Sequence, residues 1–372
     1  MRGQPLINPL NTRDTMDEIK FQQFKTEYKR HNIRKVLFIV ACFTFMVIAM
    51  GVSITLGDYE ISVFRVYEVI WDHISGKELE LYSHEWYDNF IVWDNRLPRV
   101  LFAILAGFGL AISGVAMQSL MKNPLAEPYT TGISSGAYLG VAITMVLGFT
   151  IIPGDQGTSW NAFIFALIPV AIILLFSSRL GDSVATIILI GTALTYLFNA
   201  MATLVLVSTD AETLFNVYRW QVGTISKLSW SELGMVFAIV LAGSIIIMFL
   251  SKKLNIMTMG DNNAKSLGVN VRRIRIICML VMALIVATIV SYAGIIGFVG
   301  LICPHIVRMV IGSDNRFVIP AATAFGAAFL LFCDLITKAI HYMDSVPVGV
   351  VCSFIGGPLF LIILVRNRKG IW

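Results

Sequence analysis

Hydrophobic residues in this chain occur in long continuous runs, and polar residues collect between the runs instead of alternating with apolar ones. A helix of about 20 apolar residues crosses the hydrocarbon core of a bilayer. Only helices and closed barrels satisfy the backbone in lipid, and continuous runs favour helices over barrel strands. The pattern predicts an all-α polytopic membrane protein with about ten spans, at 36–56, 98–120, 133–151, 161–178, 184–207, 232–250, 274–293, 297–311, 319–340 and 347–365.

The charges between the runs predict an orientation. Basic residues crowd the segment before the first span, the 252–275 segment and the segment after the last span, and basic loops face the cytoplasm. The 58–94 segment is acidic and is predicted to lie outside. An even number of spans also puts both termini on one side. We therefore expect a multi-pass protein of the cytoplasmic (inner or plasma) membrane, with a cytoplasmic extension over 1–35 and one transmembrane domain over 36–372.

Composition narrows the class of protein. Hydrophobic residues make up 57% of the chain and charged residues 14%, whereas soluble domains carry about 25% charged residues. The basic segments are short and adjoin spans, which disfavours nucleic-acid binding. The five cysteines lie in or beside apolar runs without CxxC spacing, so we interpret them as small buried residues. About 35 mostly polar residues precede the first run, unlike a secretory signal.

Basic residues lie at the predicted outer ends of two spans. They need an explanation, because lysine and arginine normally concentrate in cytoplasmic loops. Arg96 and Arg99 precede the second span. They suit docking of an acidic partner, since arginine pairs bidentately with carboxylates, but they also suit lipid phosphate or the acidic 58–94 loop. Lys338 follows Asp334 by four residues on one helix face. This spacing predicts either a local ion pair or a third basic docking point.

Three further segments carry candidate chemistry. The 121–129 segment holds two prolines that interrupt a helix, so it is either a pore constriction or an ordinary turn. The 260–275 segment is polar and basic, and predicts a short surface helix that contacts a partner. Glycines at 132, 136 and 140 have the spacing of close helix packing. They also match G-x-S-x-G with Ser134 as the nucleophile of a membrane hydrolase, the less favoured interpretation.

These segments together resemble the permease subunits of type II ABC importers, the family that imports iron–siderophore, haem and cobalamin complexes. The resemblance covers about 35–370. It is carried by RLPR at 96–99, SGVAMQSLMKNPLAEP at 113–128, GISSGAYLG at 132–140, AKSLGVNVRRIR at 264–275, GIIGFVGLICPHIVRMVIG at 294–312 and VPVGVVCSFIGGPLFLIIL at 346–364.

The resemblance implies a role for each candidate segment. An external substrate-binding protein would dock on Arg96, Arg99 and Lys338. A coupling helix at about 261–273 would seat in an ATPase through Asp261, Ala264, Leu267, Gly268, Arg272 and Arg273. One gate would comprise Asn123, Pro124 and Leu125, and a second, looser match would comprise Ser183 and Thr186.

The resemblance also implies the partners and the cargo. The partners are a second permease copy (identical or related), two cytoplasmic ATP-binding subunits, the external binding protein and membrane lipid. The chain itself would be no enzyme, with no catalytic or metal-ligating residues and no bound cofactor, because ATP and Mg would sit on the partner ATPase; the sequence contains no G-x-x-x-x-G-K-[ST] loop. The expected cargo is chelated iron, as siderophore or haem, and cobalamin is the alternative. An ion-coupled secondary transporter, the alternative of another class, would place ionisable residues near mid-membrane, where the spans have almost none.

Overall fold

The computed structural model describes residues 9–57, 59–180, 183–226, 228–340 and 346–366. The start of the extension, the first residue of the acidic loop and the last basic residues lie outside the described ranges. The regular elements within them are helical. The α-helices are α1 Pro9–Thr55, α2 Val63–Ile74, α3 His84–Asn89, α4 Leu97–Met121, α5 Ile133–Leu147, α6 Gly157–Leu180, α7 Val184–Leu206, α8 Ala211–Gln221, α9 Trp230–Phe249, α10 Ser251–Thr258, α11 Asp261–Ser266, α12 Val271–Ala293, α13 Val299–Ile311, α14 Asn315–Ala339 and α15 Val348–Arg366. A π-helical turn (Phe90–Arg96) leads into α4, and a 3₁₀ turn (Pro128–Thr131) precedes α5.

Ten apolar helices occupy the ten predicted positions in the described residues. Eight are long enough to cross a membrane, and α5 and α13 are shorter apolar helices. The predicted all-α membrane fold is therefore confirmed. The described part of the predicted 1–35 extension is continuous with the first span. Both belong to α1, which runs without a break from Pro9 to Thr55 over 47 residues.

The connections gather at two ends of the bundle. We call the end that carries residues 56–96 and 207–229 the outer end, and the end that carries residues 121–126 and 250–270 the inner end. These names follow the predicted orientation. At the outer end, α8 is a short helix between α7 and α9.

Close backbone contacts at glycines build the centre of the bundle around α4. A Cβ atom on Gly107 would lie 2.3 Å from the carbonyl oxygen of Gly326 in α14. A Cβ atom on Gly114 would lie 1.8 Å from the carbonyl oxygen of Gly300 in α13. Small residues allow this approach, so dispersion contacts hold α4 against both helices in the absence of a hydrophobic driving force in lipid.

The glycine stripe of α5 packs in the same way, as predicted. A Cβ atom on Gly136 would lie 2.4 Å from the carbonyl oxygen of Phe165, and one on Gly140 would lie 2.6 Å from that of Asn161, both in α6. Ser134 sits in the first turn of α5, which follows a 3₁₀ turn and not a strand. The structure thus supports helix packing, and the strand-to-helix elbow of a hydrolase is not formed here.

Two irregular segments meet at the middle of the bundle. The chain after α4 folds back into the bundle, and the hydroxyl of Tyr129 donates to the carbonyl of Ile296, 3.2 Å away, between α12 and α13. The Cβ position of Gly300 lies 3.6 Å from Pro128 and 3.1 Å from the carbonyl oxygen of Leu110, at the midpoint of α4. Residues 294–298, between α12 and α13, are not helical. Irregular backbone at this depth is tolerated because it is enclosed by protein.

Candidate docking, coupling and gate sites

Arg96 is folded into the protein at the outer end. It ends the π-helical turn before α4 and is 8% exposed. Its guanidinium donates to the carbonyl oxygens of Ile54 (2.9 Å) and Thr55 (2.8 Å), and also to that of Tyr59. Arg96 therefore supplies hydrogen bonds to carbonyls at the end of α1 that lack helical partners.

Arg99 and Lys338 converge on one buried carboxylate. Asp334 is fully buried, and its Oδ1 accepts from Nε (2.9 Å) and Nη2 (2.7 Å) of Arg99. Lys338 Nζ lies 3.3 Å from Asp334 Oδ2 and donates to the backbone carbonyl of Ser53, 3.0 Å away. The local pair between Asp334 and Lys338, one of the two interpretations of their spacing, is thus present, and Arg99 joins it from α4.

Each of the three predicted docking residues therefore makes polar contacts within the fold. Arg96, Arg99 and Lys338 all tie α4 or α14 to a neighbouring element at the outer end. Arg99 keeps the most exposure, 22% of its side chain. Their docking role stays a prediction, and their contacts show that each also contributes to the fold.

The predicted gate turn follows α4 at the inner end. Asn123 Oδ1 accepts from the backbone amide of Leu125 at 2.9 Å, which is an Asx turn. Pro124 is buried beneath this turn, whereas Leu125 is 38% exposed. The turn is therefore a defined structure that presents one apolar side chain.

A three-element ion cluster joins that turn to the predicted coupling segment. Lys122 ends α4 in the left-handed conformation (φ 50°), and its Nζ lies 2.7 Å from Asp261 Oδ1. Asp261 opens α11, and Arg275 of α12 donates to Asp261 Oδ2 from 3.0 Å. Partial burial acts to raise the pKa of Asp261, but hydrogen bonds from Lys122 and Arg275 outweigh it and hold that pKa below its ordinary value.

The short helix α11 is shorter than the predicted 261–273. It ends at Ser266, Gly268 takes a left-handed conformation (φ 79°), and α12 begins at Val271. Ala264 packs inward with no exposed surface, and Leu267 projects outward with 60% exposure. The predicted contact residues Arg272 and Arg273 are exposed in the first turn of α12.

The second predicted gate residues form a helix cap. Ser183 is the N-cap of α7, and its hydroxyl accepts from the backbone amide of Thr186 at 3.1 Å. In the described ranges no hydrogen bond joins this pair to the 122–125 turn. The structure therefore brings Asn123, Pro124 and Leu125 together and places Ser183 and Thr186 at a separate helix start.

Sequence reasoning missed the role of Arg308 in the CPHIVR segment. Its guanidinium donates to Asn315 Oδ1 (2.9 Å) and Ser119 Oγ (3.0 Å). It also reaches the side chain of Gln118, whose amide donates to the carbonyl of Leu301 at 3.0 Å. This network fastens α4, α13 and α14 at their inner ends. A basic residue near the end of an apolar run was the available signal.

Glu127 was also missed, and it is an ionisable residue at mid-bundle depth. It immediately precedes Pro128, which contacts Gly300 at the middle of the bundle. Among the described residues, its Oε1 has no hydrogen-bond partner. A lone acidic residue between two prolines was the sequence signal.

The described helices define an all-α polytopic membrane protein. The FecCD transport family matches residues 45–366. The chain is 35% identical to an ABC transporter permease protein of Methanocaldococcus jannaschii, MJ0087, over 92% of this chain and 98% of the relative. It is 36% identical to the hemin transport system permease HmuU of Yersinia pestis, over 75% of this chain and 84% of that protein. Other relatives, 30%, 34% and 31% identical, are named for import of molybdate, cobalamin and iron(3+)-hydroxamate.

A solved structure shares the fold. It is described as an inward-facing conformation of a metal-chelate type ABC transporter, and it aligns with a TM-score of 0.77 and 28% identity over 88% of this chain and 98% of that chain. The chain belongs to the FecCD transport family and is an ABC importer permease.

Proposed function

We propose that this permease moves chelated iron, as a siderophore complex or haem, across the cytoplasmic membrane. The main support is its 36% identity to a hemin transport permease over three-quarters of the chain. A relative named for iron(3+)-hydroxamate import, 31% identical over 90% of the chain, points to the same class of cargo. Similarity to a metal-chelate type transporter structure agrees with both.

The proposed assembly contains two permease chains, two cytoplasmic ATPases and an external binding protein. The permease needs no nucleotide site, because ATP and Mg would bind to the ATPases. We place both termini in the cytoplasm, with α11 against an ATPase and the outer end against the binding protein. Exposed Leu267 offers an apolar contact on the inner surface, and the basic side chains around it suit an acidic rim on the ATPase.

The proposed mechanism is alternating access driven by the ATPases. Loaded binding protein docks at the outer end, near Arg96, Arg99 and Lys338. ATP binding moves the seated α11, and the ion pair between Asp261 and Lys122 carries that movement to the turn at 123–125. Ser183 and Thr186, at the start of α7, would move in the second gate.

Reconstitution tests the cargo. The permease, its ATPase and its binding protein are placed in proteoliposomes with ATP, and uptake of ferric hydroxamate, haemin, cyanocobalamin and molybdate is compared. We expect ATP-dependent uptake of one iron chelate. Uptake of cyanocobalamin alone would support the alternative suggested by a cobalamin relative. Uptake driven by a proton or sodium gradient, without an ATPase, would overturn the proposal in favour of a secondary transporter.

A further inference from the structure

The amphipathic helix α2 at the outer end carries an exposed aromatic face. Its large apolar side chains recur at helical spacing, and the exposed fractions are 89% for Phe64, 60% for Tyr67, 68% for Trp71 and 66% for Ile74. From these positions and the contacts below, we propose that α2 lies on the outer surface of the bilayer, with this face at the boundary between lipid headgroups and acyl chains.

The surface of α2 divides into three sectors. Val66 and Val69 are buried against the protein. The charged side chains of Arg65, Glu68 and Asp72 share a second sector, where Arg65 pairs with Glu68 at 3.0 Å. The exposed aromatic face is the third. Helices that lie in the membrane interface have this segregation of protein-facing, water-facing and lipid-facing sides.

Contacts of the other sectors hold α2 in one orientation. Arg65 Nε lies 2.7 Å from Asp88 Oδ2, at the end of α3. The ring of His73 stacks on Trp93 in the π-helical turn, with centroids 3.9 Å apart. Because both contacts join α2 to the segment that leads into α4, the direction of the aromatic face is set by the fold.

The aromatic face continues the exposed apolar surface of α1. The Cβ position of Gly51 in α1 lies 3.5 Å from the hydroxyl of Tyr67. Gly51 shares one side of α1 with Val40 and Val47, which are 53% and 60% exposed, since all three fall within about 40° at 3.6 residues per turn. Tyr67 therefore reaches over the side of the first span that faces outward from the bundle.

The position of Tyr67 along α1 favours lipid over a soluble protein as the partner of the aromatic face. Gly51 lies four residues before the end of α1, which is about 6 Å below the helix end at 1.5 Å per residue. Tyr67 therefore contacts the outward-facing side of the first span below its outer end, where the helix is long and apolar enough to face lipid. Tryptophan and tyrosine also concentrate at the membrane interface, where an apolar ring and a polar tip are both accommodated.

Spin-label accessibility in nanodiscs of phosphatidylcholine and phosphatidylglycerol tests the proposal on the full chain. One variant carries the label at the aromatic face (Trp71→Cys), and the matched control carries it in the charged sector one turn away (Glu68→Cys). The native cysteines are buried, so the unsubstituted protein gives the labelling background. We expect the ratio of oxygen accessibility to nickel-chelate accessibility to be several-fold higher at position 71 than at position 68.

Three results would overturn the proposal. Equal nickel accessibility at both positions would mean that the face points into water. Dipolar broadening at position 71, absent when labelled protein is diluted with unlabelled protein, would assign the face to a second copy of the chain. Nickel protection that appears only when binding protein is added would assign it to that partner. If Trp71→Cys does not fold, Phe64→Cys places the label on the same face.

Discussion

Lys122 Nζ lies 2.7 Å from Asp261 Oδ1, and this ion pair joins the residue before the predicted gate turn to the first residue of α11. Both side chains are about one-quarter exposed, and Arg275 holds the same carboxylate from α12. We expect a movement of α11 to reach the end of α4 through this direct contact. Because Lys122 adjoins Asn123, the contact acts one residue from the turn.

Breaking this pair should uncouple ATP hydrolysis from uptake. In Lys122→Met, the aliphatic chain remains but the charge is lost, and Asp261 keeps Arg275 as its partner. We expect ATP hydrolysis in the reconstituted assembly to stay within about twofold, and uptake per ATP to fall about fivefold or more, at the lower end of allosteric coupling. Because the pKa of Asp261 is lowered, its carboxylate stays ionised above pH 6. Uptake per ATP in the wild-type protein should therefore not change from pH 6 to pH 8.

Two controls accompany that measurement. Lys252→Met removes an exposed lysine from α10 and should leave uptake per ATP unchanged. The charge swap Lys122→Asp with Asp261→Lys should recover part of the loss if the contact itself matters, although Arg275 then faces a lysine. If uptake per ATP is unchanged in Lys122→Met, the proposed coupling role of this ion pair is wrong, whereas the proposed transport function is not affected.

The buried carboxylate at the outer end should make Arg99 important for stability. In Arg99→Met, fully buried Asp334 keeps only Lys338, and loss of one partner from a buried pair costs about 3–5 kcal/mol. We expect a lower thermal unfolding midpoint in detergent, and partial recovery in Arg99→Met with Asp334→Asn. Equal midpoints for all variants would contradict this. Charge reversal at Arg99 would therefore test folding as much as docking.

The contact between α4 and α13 should not tolerate a methyl group. In Gly114→Ala, the new Cβ atom would lie 1.8 Å from the carbonyl oxygen of Gly300, so the helices must separate. Overpacking of this kind costs about 1–3 kcal/mol. Gly234→Ala in α9 is the matched control, because no atom lies within 4 Å of its Cβ position. We expect a lower thermal midpoint only for Gly114→Ala, and equal midpoints would disprove the close contact.

Glu127 offers a test between the two classes of transporter. Glu127→Gln keeps the size of the side chain and one of its oxygens but cannot carry a proton. For an ATP-driven importer, we expect uptake into ATP-loaded proteoliposomes to persist in the variant and in the presence of a proton ionophore. Loss of uptake under both conditions would indicate proton coupling through this carboxylate.

The sequence predicted the helices well and their interruptions only in part. Apolar runs identified the ten apolar helices of the described ranges, because length and hydropathy are local properties. The two prolines of the 121–129 segment also predicted the interruption after α4. The sequence did not predict that residues 127–131 fold back into the bundle. An Asn-Pro turn does not indicate whether the residues after it face water or protein. The short extent of α11 was not predicted either, because the helix ends at Ser266, before the left-handed Gly268.

The contacts of the charged residues show what a local sequence pattern could not predict. The four-residue spacing predicted that Lys338 could reach Asp334, but Arg99 lies 235 positions away from that carboxylate along the chain. Only the packing of α4 against α14 brings them together. The same holds for Lys122 with Asp261 and for Arg308 with Ser119. The sequence alone determined which segments enter the membrane, because hydration of each segment depends on its own residues. The tertiary structure decided which buried charges meet, because that depends on which helices are neighbours.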